Sequence, residues 1–309
     1  MSKKQNTVDL DKMLWLNGTY LSFFPSIALK LTGSCRMDCP FCCEPNRQQV
    51  IYKVDNFIKI TDILIRLGTK RLCLTGGEPL LYQDLLNLVK YTNSLGFFNL
   101  LLTGDGELLG KRYKEFVPYL NAVRFSIHGI GSMHDQIVQQ IGAFEEMEKT
   151  IKSLTEERLA CYVTTVVTSM NFESLPELAE FCVKNNIKTY FLFGMMRSGR
   201  GNEYLKKNRE VTKEEIAKMI VYLENKYQQN TLELIYYDYK NKAECILIYG
   251  NGRVVIDPYP FKPNFQLEIG NILTETSDII IERFNKDPEN SHGHSEHLSR
   301  YYGMNNLIG

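Results

Sequence analysis

Along the first two thirds of the chain, apolar and polar positions repeat one unit: a short apolar run, a turn, then a stretch with helical spacing. SIALKLTG (26–33) alternates Ile27, Leu29 and Leu31 and predicts a strand. NFIKITDILIRLG (56–68) has helical spacing and closes on a glycine cap, so it predicts a helix. The unit then recurs. KRLCLTG (70–76), FNLLLTG (98–104), NAVRFSI (121–127), CYVTTVVT (161–168) and IKTYFLFG (187–194) predict strands. QDLLNLVKYTNSLG (83–96), GELLGKRYKEFVPYL (106–120), the amphipathic stretch 142–156 and ESLPELAEFCVKNN (173–186) predict the intervening helices.

Such alternation implies right-handed crossovers and a parallel sheet. Apolar runs, rather than strict alternation, fit strands covered on both faces. Six units make either an incomplete barrel or an open doubly wound sheet, and the pattern leaves both open. After Arg200 the style changes. VTKEEIAKMIVYLENKY (211–227) predicts a helix, ILIYGNGRVVI (246–256) a hairpin around Gly-Asn-Gly, and 277–285 a short helix. The expected organisation is an N-terminal segment (1–24), a core (25–205) and a small α+β extension (206–309).

A chain of 309 residues accommodates one large domain plus an extension. Apolar residues at 44%, with 18 Tyr and 16 Phe, supply a sizeable core. Charges balance at 36 and 36, so no basic excess points to nucleic acid or an anionic membrane. No apolar run is long enough to span a bilayer, and Lys3 and Lys4 precede no signal-like apolar stretch. A cytoplasmic location follows as the expectation. There, clustered cysteines serve as metal ligands or catalytic groups more often than as disulfides.

Four of the eight cysteines fall in SCRMDCPFCC (34–43). Cys35, Cys39 and Cys42, spaced C-x3-C-x2-C, follow directly on the first predicted strand. In an α/β barrel that edge carries the active site. Structural zinc wants four ligands, usually in two separated pairs, and Cys43 beside Cys42 is awkward as the fourth. A cubane cluster with three protein thiolates and one open iron fits better. A second element, LTGGEPLL (74–81), ends the second strand. Gly76 and Gly77 permit close approach to the backbone, and Glu78 offers a carboxylate to a cationic group.

The cysteine loop, with Phe41 before its third cysteine, resembles that of the radical S-adenosylmethionine (radical SAM) enzymes, and 76–79 resembles their GGEP motif. The resemblance covers about 25–205 and implies a partial (β/α)6 TIM-like barrel. One [4Fe-4S] cluster would sit on Cys35, Cys39 and Cys42, with S-adenosylmethionine on its open iron. Cys43 falls outside the set, because a fourth thiolate would block that iron. Phe41 would wall the adenine, and Gly76, Gly77, Glu78 and Pro79 would receive the methionine amino group. LLTGDG (101–106) resembles the family's TTNG-like segment, bringing in Thr103, with Asp105 where Asn is usual. RFSIHG (124–129) places Ser126 at a ribose contact and His128 where Asp is usual. Asn171 matches a ribose or carboxylate contact, and Arg200 a carboxylate partner. HDQIVQQIGAFE (134–145) is similar to a stretch of the peptide-modifying members.

Cys245, the hairpin and EIGNIL resemble the auxiliary-cluster (SPASM or twitch) domain of such enzymes. An auxiliary cluster needs about three or four thiolates, and no cysteine follows Cys245, so no auxiliary cluster is expected. The resemblance implies reductive cleavage of S-adenosylmethionine to a 5′-deoxyadenosyl radical, which takes hydrogen from a substrate, here a peptide. It also implies an electron donor such as flavodoxin or ferredoxin. Cys245 is a candidate hydrogen donor for a redox-neutral outcome. Two rivals stand: the same chemistry on a nucleoside, sugar or amino acid, and a non-enzymatic iron–sulfur or zinc-binding module. Cys73, Cys161 and Cys182 read as packing residues, and His292, His294 and His297 as the composition of a polar tail.

Overall fold

The structure is a computed structural model that describes residues 15–16, 19–20, 26–44, 52–227, 232–237, 246–257 and 266–286. Trp15–Leu16 and Thr19–Tyr20 pair antiparallel. The remaining strands form one sheet. They are β1 (Ser26–Lys30), β2 (Arg71–Thr75), β3 (Phe98–Thr103), β4 (Ala122–Ser126), β5 (Ala160–Val166), β6 (Thr189–Phe193), β7 (Glu233–Tyr237), β8 (Ile246–Tyr249), β9 (Arg253–Ile256) and β10 (Leu267–Asn271). Their order is β10-β9-β8-β1-β2-β3-β4-β5-β6-β7. The pairs from β8 through β1 to β7 are parallel, and β9 and β10 add antiparallel.

Helices α1 (Val54–Arg66), α2 (Leu85–Ser94), α3 (Gly106–Phe116), α4 (Ser132–Val138), α5 (Ala143–Glu156) and α6 (Leu175–Lys184) connect consecutive strands of the core. α7 (Arg200–Lys207) and α8 (Lys213–Lys226) follow β6, and α9 (Ser277–Lys286) follows β10. The six predicted strands are all present. α4 and α7, each eight residues or fewer, and β7 were not legible as elements.

Strand order decides between the two architectures. From β1 to β6 it runs in sequence without reversal. Right-handed crossovers in such an order place every helix on one face, as in a barrel, whereas a doubly wound sheet reverses partway. The packing agrees. One face of the strands contributes Ile27, Leu29, Leu72, Leu74, Leu101, Val123, Phe125, Val163, Tyr190 and Leu192 to the main core, with Phe57, Ile60 and Leu64 of α1 and Met147 and Ile151 of α5. The other face buries strand residues against one another: Leu100, Ala122, Tyr162, Phe191, Phe193 and Tyr237. The fold is therefore the expected partial, TIM-like barrel, with a lumen walled by its own strands.

The chain after residue 205 extends this sheet at both edges. β7 joins β6, pairing Phe193 with Tyr237, and β8 joins β1, pairing Leu247 with Ala28.

Candidate active site

At the C-terminal ends of β1 and β2 the two chains stay zipped beyond the strands. Leu31 N–H donates to Thr75 O at 2.9 Å, Gly77 N–H to Thr32 O at 2.7 Å, and Glu78 N–H to Ser34 O at 2.7 Å. This seam explains both glycines. A Cβ on Gly76 would lie 2.6 Å from Thr32 O, and one on Gly77 would lie 2.4 Å from Ser34 O. The close approach they permit is that of the chain's own cysteine loop.

Charged pairs hold the loop at its sides. Arg36 donates through Nε to Asp105 Oδ2 at 2.7 Å and through Nη2 to Asp105 Oδ1 at 2.6 Å, with Glu107 3.0 Å from Nη2. Asp105 also caps α3 by accepting from Leu108 N–H at 3.0 Å. On the other side Arg200 Nη1 pairs with Asp38, and Arg200 N–H donates to Cys42 O at 2.9 Å. Gly199 makes this turn at φ +53°, where a Cβ would lie 2.6 Å from Cys42 O. At the end of α4, Gln139, the residue that follows the helix, donates through Nε2 to Asp38 O at 2.8 Å, and Asp38 N–H donates to Val138 O at 2.9 Å. Arg36 and Asp38 carried no signal of this role in the sequence beyond the unusual Asp105.

Cys35, Cys39 and Cys42 are half-buried residues free of disulfides, and Cys43 is an exposed one. Burial, then the neighbouring Cys42 and Cys35, push the Cys39 thiol up to about 12. The three groups thus sit close enough to feel one another. Among the described residues no three His, Cys, Asp or Glu side chains converge on a point for a single metal ion. Cys35 and Cys42, together with Cys43, instead border a cavity of about 190 Å³, shared with Thr75, Gly76 and Gly77, and Cys39 lies beside Cys42 and Cys35. Three soft thiolates within reach of one another are the donor set a cubane uses. The residues fit such a cluster. The C-terminal strands reach the same cavity through Leu247 and Asp257, opposite the buried Lys30, which pairs with Glu44.

Around this rim the other candidate residues divide into two kinds. Phe41 is buried and meets His128 edge-on at 5.0 Å and Tyr204 at 6.3 Å. Ser126 ends β4, partly exposed. By contrast, Glu78, Thr103 and Asn171 point into the protein. Glu78 accepts from Leu80 N–H (3.1 Å), Gly104 N–H (3.0 Å) and Thr103 Oγ1 (2.9 Å). Burial pushes the Glu78 carboxyl up to about 8, against the pull of these donors. Asn171 Oδ1 accepts from Thr168 N–H at 2.8 Å, and its Nδ2 donates to His128 O and Val166 O, each at 3.0 Å. Pro79 begins a buried turn of 3-10 helix. Burial holds His128 down to about 3 and His134 to about 4, so both rings are neutral. Cys245 and the three tail histidines lie outside the described residues.

The sequence model of the Radical SAM superfamily matches residues 29–182, from β1 through α6. The chain belongs to the radical SAM superfamily. Among curated relatives of this radical SAM chain is the sporulation killing factor maturation protein SkfB of Bacillus subtilis, 27% identical over 202 residues, covering 64% of this chain and 49% of that protein. Another is the GTP 3′,8-cyclase of Clostridium perfringens, 26% identical over 202 residues, covering 63% and 61%. The chain thus spans about half to three fifths of the length of these relatives. In fold it resembles Streptococcus suis SuiB bound to precursor peptide SuiA, with a TM-score of 0.72 at 17% identity, over 88% of this chain and 66% of that one. Radical SAM membership implies S-adenosylmethionine and an iron–sulfur cluster as its cofactors. No helix among the described residues is long and apolar enough to cross a membrane.

Proposed function

We propose that this protein is a radical SAM enzyme with a single [4Fe-4S] cluster on Cys35, Cys39 and Cys42, and that its substrate is a peptide. The observation that carries the proposal is the seam that locks the cysteine loop to the GGEP turn over a cavity at the C-terminal ends of β1 and β2. When bound, cluster and S-adenosylmethionine would supply a 5′-deoxyadenosyl radical that takes hydrogen from an unactivated carbon. The chain's own residues bind, orient and exclude water. Phe41 walls the adenine, Ser126 meets the ribose, and the backbone of Gly76 to Pro79 receives the methionine amino group. Glu78, Thr103 and Asn171 act as positioning residues, because their polar atoms are engaged by the chain itself, and Arg200 holds the loop through Nη1 on Asp38 while its buried Nη2 is left open for a carboxylate.

A peptide substrate is favoured by the likeness to a killing-factor maturation protein and to a structure holding a precursor peptide. The small-metabolite reading draws on the GTP 3′,8-cyclase likeness. In this proposal residues 206–309 form a cluster-free, twitch-like extension of the 25–205 core, after the N-terminal segment 1–24. Flavodoxin or ferredoxin delivers the electron in the cytoplasm, and Cys245 is the candidate hydrogen donor. Anaerobic reconstitution tests the cluster assignment: about four irons per chain are expected, and eight or more would contradict a cluster-free extension. Mass spectrometry of a short peptide encoded beside this gene, after turnover, tests the substrate. Turnover of a nucleotide panel with no change in the peptide would favour the metabolite reading.

A further inference from the structure

The barrel lumen holds an arginine, Arg124, with no acidic partner among the described residues. Arg124 is the third residue of β4, on the face it shares with Ala122 and Ser126, and its neighbours across the sheet are Leu102 and Tyr162. Its guanidinium lies 5.4 Å from the Phe191 ring and 5.7 Å from the Phe193 ring. Its Nε is buried with no hydrogen-bond partner, and Arg124 makes no ion pair among the described residues. Arg36, Arg197, Arg200, Arg209 and Arg283, by contrast, each grip a carboxylate.

A guanidinium cannot shed its proton to escape this setting. A charge drawn partly out of water gains from a counter-charge, and aromatic faces return only part of what is lost. Arg124 is half-buried and its buried Nε lacks a partner, so its fork is available to an anion on the lumen face of the sheet. One planar fork matches one carboxylate through paired N–H···O bonds. A phosphate would call for more cationic charge, and Arg71, the other lumen guanidinium, is stacked on Phe98 at 4.6 Å where β2 begins. The surrounding wall of Tyr162, Phe191, Phe193 and Tyr237 suits an apolar or aromatic neighbour of that carboxylate.

We propose that Arg124 forms a carboxylate-binding subsite in the barrel lumen that receives an acidic side chain of the substrate, beside an apolar one. The subsite rests on the lumen being the substrate space of the proposed function. It is a specificity-determining contact for this chain, distinct from the cluster and S-adenosylmethionine residues.

Calorimetric titration of the reconstituted protein tests the subsite with three probes: acetyl-Phe-Glu-Ala-amide, its Gln analogue and phenylacetate. The Glu peptide is expected to bind wild type at least tenfold more tightly than the Gln peptide. That gap closes in Arg124→Met, which keeps the stem and loses the fork, and narrows in Arg124→Lys. Phenylacetate binding as tightly as the Glu peptide, and lost in Arg124→Met, would keep the carboxylate subsite but replace the acidic side chain with a small free acid. Equal binding of Glu and Gln peptides to wild type would overturn the subsite without recourse to any variant, as would a gap that survives in Arg124→Met. These are binding measurements made without reductant. Failure of wild type to cleave S-adenosylmethionine, measured alongside, counts against the proposed function and leaves the comparison of probes readable.

Discussion

Arg36, inside the cysteine loop, grips Asp105, the cap of α3, through two parallel hydrogen bonds of 2.6 and 2.7 Å. Asp105 is almost fully buried, at 1% side-chain exposure, while Arg36 retains 34%. The pair ties the loop that follows β1 to the end of β3, across the β2 turn that lies between them.

Removing one partner should cost more than softening the other. Arg36→Ala strands a buried carboxylate, a loss of about 2–3 kcal/mol once the exposure of the arginine is discounted. Asp105→Asn keeps an acceptor for Leu108 N–H and should cost less. Urea unfolding of both variants and of the double variant checks this. The double variant should be more stable than the sum of the single effects implies, because the two side chains form one interaction.

Gly77→Ala should lose iron. Its Cβ would lie 2.4 Å from Ser34 O and 2.6 Å from Gly33 O, both backbone atoms that cannot swing aside. Gly104→Ala is the control, since no atom lies within 4 Å of its added Cβ. Iron analysis after reconstitution should show the cluster in Gly104→Ala and little in Gly77→Ala.

Asn171 separates a positioning role from a ligand role. Its Nδ2 donates to two carbonyl oxygens, so Asn171→Asp sets a carboxylate against both. Leaving these buried groups in conflict should destabilise by about 3 kcal/mol or more. A direct ribose contact would instead weaken S-adenosylmethionine binding and leave the urea midpoint in place.

His128 and His134 set an acid limb. Both are bases held neutral well below their ordinary value of 6.5, at about 3 and about 4. Below pH 6.5 the unfolded chain binds protons that the folded chain refuses, so their contribution to stability falls as pH falls toward 4. Glu78 acts oppositely. Its carboxyl is raised to about 8, so the folded chain holds the proton better, and that contribution falls as pH rises from about 4.5 to 8. His134→Asn keeps an acceptor for His128 N–H and removes one titrating ring. Between pH 6 and 4.5 it should flatten the stability–pH slope by about 1.4 kcal/mol per pH unit, read from urea midpoints against pH.

Much of the barrel was legible because each strand is a short apolar run closed by turn residues and each long helix buries one stripe, as Phe57, Ile60 and Leu64 do in α1. The cysteine and GGEP segments were legible as strings of side chains. Pairings between distant segments were not. β8 meets β1 from the far end of the chain, joining Leu247 to Ala28, and no local period encodes that match. Arg36 with Asp105 and Arg200 with Asp38 are single charges on loops, without spacing to reveal them. The sequence also supplied two glycines and a carboxylate suited to a ligand. Folding turns the glycines toward Thr32 and Ser34 and the Glu78 carboxylate toward Thr103, so residues that resemble contacts can be supports.

The most direct test of the account is anaerobic incubation of the reconstituted protein with dithionite and S-adenosylmethionine, followed by chromatography for 5′-deoxyadenosine. The account predicts 5′-deoxyadenosine from the wild-type protein and none from Cys39→Ala. A colourless protein that holds one zinc and leaves S-adenosylmethionine intact would contradict it.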